Sequence, residues 1–181
     1  MSIKHTIMTK ISVKDTTQSS IHKNTSEIST PFRLSEARTV NVIAGGKKES
    51  DIQLLDDLLE VLSERGFHVR IMCDYPPCRE IKSHDAMSIA FFSRRDFSIF
   101  GSPKSPILKE FIDTASDIFI DITSSNSKMV RKVCGRMKYH LSIGVNPANG
   151  VKYDFVYTIP EGSDTRLSFE KMIDYLSLIN S

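Results

Sequence analysis

The sequence predicts an α/β fold: a three-layer, Rossmann-like sandwich around a mostly parallel sheet of five to six strands. Two observations carry that expectation. The run Thr39–Ala44, a helical-period segment and the run His68–Cys73 follow one another at the spacing of a βαβ unit, which dictates a parallel pair with a right-handed crossover. Strand and helix patterns then continue to alternate to the C-terminal end, which is how helices come to cover both faces of one sheet.

Taken in order, residues 1–30 stand apart. Twelve of them are Ser or Thr and none is aromatic. Such a segment cannot bury enough surface to offset its ordering entropy, so a mobile arm is expected over 1–30 and a single α/β domain over 31–181. Pro31–Arg38 leads into the domain. Thr39–Ala44 (TVNVIA) reads as a buried β-branched strand closed by Gly45-Gly46. Ser50-Asp51-Ile52-Gln53 has the form of a capping box opening a helix to Arg65, with Ile52, Leu55, Leu58, Leu59 and Leu62 on one face. Gly66 is placed to end it in the left-handed conformation.

The second strand, His68–Cys73, is followed by the breaker Tyr75-Pro76-Pro77 and a polar loop to about Asp85; Met87–Phe92 is the third strand. Ser93–Lys104 lacks a clean period and is expected to be an ordered loop. Ser105 then caps a helix with Pro106 at its first position and Ile107, Leu108, Phe111, Ile112 and Ala115 as its core face. Asp117–Ile122 is a strand, Thr123–Ser127 a polar turn, and the stripe Met129, Val130, Val133, Cys134, Met137 marks a helix to about Met137. Tyr139–Ile143 and the alternating Lys152–Thr158 are the last strands, the latter near the sheet edge, with a Gly144–Gly150 turn between them. Leu167, Phe169, Met172, Ile173 and Leu176 form a C-terminal helix capped by Ser163 or Asp164.

Composition bounds the function. A chain of 181 residues with 40% hydrophobic and 25% charged residues is an ordinary globular domain, and a net charge of +2 exerts no global pull on nucleic acid or membrane. Cys73, Cys78 and Cys134 form no C-x-x-C pair, so reduced thiols are expected, Cys73 and Cys134 as small core residues. Cys78 lies beside Arg79, whose positive charge would make this thiol the more reactive one. The five histidines are scattered, and no metal site or cofactor is expected. No stretch approaches the roughly 18 apolar residues of a membrane span. The N-terminus lacks the apolar segment of a secretory signal, and a cytoplasmic location follows as the expectation.

Chemistry is expected beyond the carboxyl ends of the strands, near the switch in strand order. Two loops qualify. In Gly45-Gly46-Lys47-Lys48, glycines permit close backbone approach and lysines meet an anion, although the loop is neither G-x-G-x-x-G nor a P-loop and also reads as a plain βα turn. In Asp121-Ile122-Thr123-Ser124-Ser125-Asn126-Ser127, hydroxyls and amides at a helix start suit phosphate or carboxylate and are equally ordinary caps. Asp121, at a strand end, is a candidate acid or ribose contact. A third candidate is Arg94, Arg95, Phe97 and Phe100, where basic and aromatic residues interleave as on nucleic-acid or sugar-phosphate surfaces. Lys128, Arg131, Lys132 and Arg136 form a basic stripe that faces solvent, acidic lipid or RNA. No G-x-S-x-G, H-E-x-x-H or Cys–His signature is present.

The segments Phe92–Lys104 (FSRRDFSIFGSPK), Asp117–Ile122 (DIFIDI) and Leu141–Gly144 (LSIG) resemble a family of short uncharacterised bacterial α/β proteins over about residues 40–180. A fainter likeness is to the N-terminal half of heptosyltransferase-type glycosyltransferases, carried by Asp117 to Asp121 and Ile143-Gly144. Those enzymes bind the sugar nucleotide on a second Rossmann-like domain without counterpart in these residues, so the likeness implies fold rather than glycosyl transfer. The leading expectation is a non-catalytic binding or interaction domain, for a protein partner or a phosphorylated small molecule, using a crevice near Gly45–Lys47 and Thr123–Asn126 or the Arg94–Phe100 surface. The alternative is an enzyme, or half of one, acting on a sugar or nucleotide phosphate. A third reading is an accessory protein that meets RNA or a membrane through the basic helix.

Overall fold

The computed structural model describes residues 33–77, 79–81, 87–124, 126–148 and 150–179. The expected 1–30 arm, Cys78 and Ser125 lie outside the described residues, as does much of the loop before Met87.

The strands β1 (Thr39–Ala44), β2 (His68–Cys73), β3 (Met87–Phe91), β4 (Ser116–Asp121), β5 (Tyr139–Val145) and β6 (Phe155–Tyr157) form one sheet in the order β3-β2-β1-β4-β5-β6, every pair parallel. That order is the doubly wound one of dinucleotide-binding sheets, with its reversal between β1 and β4. Helices α1 (Glu49–Glu64) and α4 (Thr165–Ile179) cover one face; α2 (Pro106–Asp113) and α3 (Lys128–Cys134) cover the other. Successive strand residues feed opposite layers: Val40 and Val42 pack under α1 and α4, whereas Ile43 joins Phe119 under α2 and α3.

The inner stripe of α1 (Ile52, Leu55, Leu58, Leu59, Leu62) has no exposed surface. Each such side chain contributes about 1.5–3 kcal/mol of burial, far more than helix propensity supplies. Outside the core, Arg166 on α4 pairs with Glu60 and Glu64 on α1.

Element ends differ from the expectation, each for a reason visible in its hydrogen bonds or burial. Helix α1 starts one residue before Ser50 because Asp51 supplies the cap, accepting from the Lys48 N–H at 3.2 Å. Lysine has no acceptor to return, so only half a capping box exists. Gly66 does adopt φ +75° after α1. The end of α3 tightens after Cys134 into bonds from Arg136 N–H to Val133 and Met137 N–H to Cys134, three residues back. Strand β6 is three residues long because Asp154 leaves the ladder, its carboxylate accepting from the Ser142 N–H (2.9 Å) and hydroxyl (2.8 Å). Ile107 and Ala115, expected on the core face of α2, are exposed: that face narrows to Leu108, Phe111 and Ile112.

Candidate functional site

At the reversal in strand order, β1 runs into α1 on one face and β4 runs toward α3 on the other, so their loops part above the sheet. A cleft of about 270 Å³ opens there, lined by Gly45, Lys47, Lys48, Asp51, Asp74, Tyr75 and Ser124. Two of the loops singled out in the sequence, Gly45–Lys47 and the segment after Asp121, therefore meet. They meet through Ser124, whose hydroxyl donates to Asp51 Oδ1 at 3.2 Å.

Gly45 and Gly46 are buried, and both are needed for space. A Cβ on Gly45 would stand 2.8 Å from Asp51 Oδ2, and one on Gly46 would stand 2.4 Å from the Tyr75 carbonyl oxygen. The β1–α1 turn is thus pressed against the segment following β2. Lys47 extends over the Tyr75 ring, its Nζ 5.4 Å from the centroid. Asp51 occupies the start of α1, where a dinucleotide's pyrophosphate lies in folds of this topology. A phosphate brought there would face a carboxylate.

Asp74 was not anticipated as a site residue. It follows β2 directly and is 4% exposed. Burial pushes its carboxyl above the ordinary carboxylate range, and the charges of Asp51 and Asp121 add to the rise against a bond from the Gly46 N–H. The signal was present in the sequence: an acid at the end of the second strand of a βαβ unit is where such folds hold a ribose. Tyr75 was read only as part of a breaker.

Asp121, the expected acid or ribose contact, does not line the cleft. It is 1% exposed and belongs to the opposite layer. One carboxylate oxygen accepts from the Thr123 N–H (2.8 Å) and hydroxyl (2.7 Å); the other accepts from the Cys134 thiol (3.4 Å) and the Tyr153 hydroxyl. Gly144 makes this possible, since a Cβ there would lie 2.4 Å from the Tyr153 ring. Thr123 is buried with Asp121, and Asn126 is exposed. Helix α3 has seven residues and its first turn is capped by its own Ser127, which accepts from the Met129 N–H.

Both described thiols are internal. Burial, before any charge, pushes Cys73 up to about 12 and raises Cys134 as well, with Asp121 adding to the latter. Arg79, the expected activator of Cys78, has its guanidinium on Asp56 and Glu49.

The Arg94–Phe100 cluster divides. Phe97 is 8% exposed and packs edge-on against Phe92 at 6.0 Å, so it anchors the loop rather than presenting a surface. Arg94, Arg95 and Phe100 face solvent. Among the described residues no group of three or more His, Cys, Asp or Glu is arranged to hold a metal, and no helix is long and apolar enough to cross a membrane.

No curated protein matches the chain. A solved structure from Bacteroides thetaiotaomicron, described as a "putative epimerase", is similar to it at 14% identity and a TM-score of 0.37, over 79% of this chain; the chain spans 64% of that structure's length. Neither result links the chain to glycosyltransferases. A family profile, by contrast, matches residues 10–179, reaching into the segment expected as an arm. On that match the chain belongs to the Family of unknown function (DUF6913).

Proposed function

We propose that the chain is a binding domain for a small, hydroxyl-rich phosphorylated molecule of the sugar-phosphate or nucleotide-phosphate class, held in the cleft between the β1 and β4 loops. One observation carries this reading: at the switch point, acceptors and cations converge on a single cleft. The carboxylate oxygens of Asp51 suit ring or ribose hydroxyls, while Lys47 and Lys48 on the rim supply point charges for a phosphate. A cleft of about 270 Å³ lies just under the ~300–1,000 Å³ of drug-sized ligand sites, so the fitting ligand is small. Asp51 at the start of α1 directs the phosphate to the lysine rim instead of the helix axis.

A second reading is turnover of the same ligand. It is favoured by Asp74, a carboxyl kept above its ordinary range by burial in the cleft and thereby suited to donate a proton nearer neutral pH.

The test is calorimetric titration of sugar phosphates and nucleoside monophosphates, with thermal unfolding in parallel. A ligand at about 100 times its Kd stabilises the fold by about 2.7 kcal/mol. Binding that weakens at least about tenfold in both Lys47→Ala and Asp51→Asn supports the cleft. Silence across the panel, or binding indifferent to both variants, overturns the reading. Product formation followed by phosphorus NMR and lost in Asp74→Asn would favour turnover.

A further inference from the structure

We propose that the hairpin tip Ile99-Phe100, together with the cationic surface around it, docks on an anionic lipid bilayer. Ile99 is 88% exposed and Phe100 87%, more than any other large apolar side chain among the described residues. They stand on a built support. The Gly101 N–H donates to the Ser98 carbonyl (2.9 Å), the Ser98 N–H to the Ser102 carbonyl (2.8 Å), and the Ser102 N–H to the Ser98 hydroxyl (3.1 Å). Gly101 closes the turn at φ +79°, a conformation that L side chains rarely adopt. Below the turn, Phe97 pairs with Pro103 across an antiparallel bridge and sinks its ring into the core. The tip therefore cannot fold its two apolar side chains back.

The charge around it is one-sided. Residues 93–104 and 124–136 hold seven basic residues and a single acid, Asp96, in a chain whose net charge is only +2. The Asp96 carboxylate is taken up by the Ser93 N–H and hydroxyl. All seven basic residues are exposed, and among the described residues none of them is within ion-pair distance of a carboxylate. The two segments touch: Lys132 lies across Gly101, and a notch of about 100 Å³ between hairpin and α3 has Arg94, Lys128 and Lys132 in its wall.

An apolar peg flanked by Arg94, Lys128 and Lys132 is complementary to a surface that is anionic outside and apolar beneath, and that is a bilayer with acidic headgroups. The notch beside the peg is suited to a headgroup phosphate. Nucleic acid is the poorer complement, because single strands are gripped by planar rings and half of this tip is isoleucine.

The test is co-sedimentation of the full chain with phosphatidylcholine vesicles, with and without phosphatidylserine. Binding is expected only with phosphatidylserine and weakens as salt rises. Ile99→Ser/Phe100→Ser is expected to lower partitioning at least about tenfold, since two buried apolar side chains supply the anchoring. Lys128→Glu/Lys132→Glu is expected to do the same at low salt. Melting at the wild-type temperature confirms that each exposed-site variant is folded. The proposal is overturned if wild type ignores phosphatidylserine, or if Ile99→Ser/Phe100→Ser binds vesicles undiminished. A single-stranded RNA bound by that variant as by wild type, with no vesicle binding by either, assigns the cationic face to nucleic acid.

Discussion

Gly46→Ala loads the contact on which the cleft depends. The added Cβ would stand 2.4 Å from the Tyr75 carbonyl oxygen, 3.3 Å from its carbonyl carbon and 3.4 Å from Cys73 Cβ. Ordinary C–H···O approach is about 3.3–3.6 Å, so about 1 Å must be found. The obstacle is backbone and cannot rotate aside; either the β1–α1 turn or the segment after β2 has to move. Overpacking costs about 1–3 kcal/mol, and a backbone obstacle puts this site in the upper half. At about 2–4 °C per kcal/mol for a domain of this size, Tm should fall by about 4–12 °C. Gly45→Ala is the matched control. Its Cβ meets Asp51 Oδ2 at 2.8 Å, the free end of a side chain that can swing away, and Asp51 Cβ at 3.1 Å, which α1 must relieve by a few tenths of an ångström; the main loss is a helix cap, about 0.5–2 kcal/mol. Urea unfolding with an unchanged m-value and thermal unfolding measure both. A Gly46→Ala protein melting within about 2 °C of wild type, or a Gly45→Ala protein melting lower than it, would refute the placement of this turn.

Two carboxylates make opposite predictions with pH. In Asp117, burial pulls the carboxyl upward, but donation from the Arg38 N–H, the Thr39 N–H and the Thr39 hydroxyl outweighs it and holds the group below its usual range. Its stabilisation is therefore fully present above pH of about 4 and lost as pH falls through the folded value. Asp117→Asn should cost about 1–3 kcal/mol at neutral pH, and the gap to wild type should close below about pH 4; a gap independent of pH rules this out. Asp74 is raised by burial first and by Asp51 and Asp121 next, so ionising it opposes folding. Asp74→Asn should raise Tm near neutral pH, with the gain shrinking as pH drops through the folded value toward about 4. Equal destabilisation across that range, read by thermal unfolding, would contradict it.

How much of this was legible in the sequence follows from how local each signal is. Strands β1 and β2 and helix α1 were readable almost to the residue, because strand period, helical stripe and Gly66 all act within a few positions. The bounds of β6 were not, because Asp154 is drawn from the ladder by Ser142, twelve residues away. Strand order was beyond reach as well: nothing local says that β1 pairs with β4 rather than β3. The cleft inherits that limit. The crevice expected from Gly45–Lys47 and Thr123–Asn126 depends on the β1–β4 pairing, which puts Gly45, Lys47 and Ser124 on one cleft but leaves Asp121 and Thr123 buried and Asn126 outside its lining. Asp121 misled because a strand-end acid looks available, whereas Tyr153, thirty-two residues on, closes over it. The seating of Phe97 depends on Phe92, and Phe100 is left outside by a turn that one glycine fixes.

The strand order also sets a timetable for the growing chain. The pairing of β1 with β2 closes over a short stretch, Thr39 against His68, and is complete once the first βαβ unit has been made. The other edge of β1 is joined by β4, and the clamp of Asp117 on Thr39 spans 78 residues. Until β4 is synthesised, the strand destined for the middle of the sheet is an open edge of unpaired N–H and C=O groups with apolar side chains on both sides. Such an edge recruits other chains as readily as its own partner. A product ending before Ser116 would carry that seam permanently, which makes the segment between α2 and β4 the point where an incomplete molecule changes from a folding intermediate into an aggregation seed.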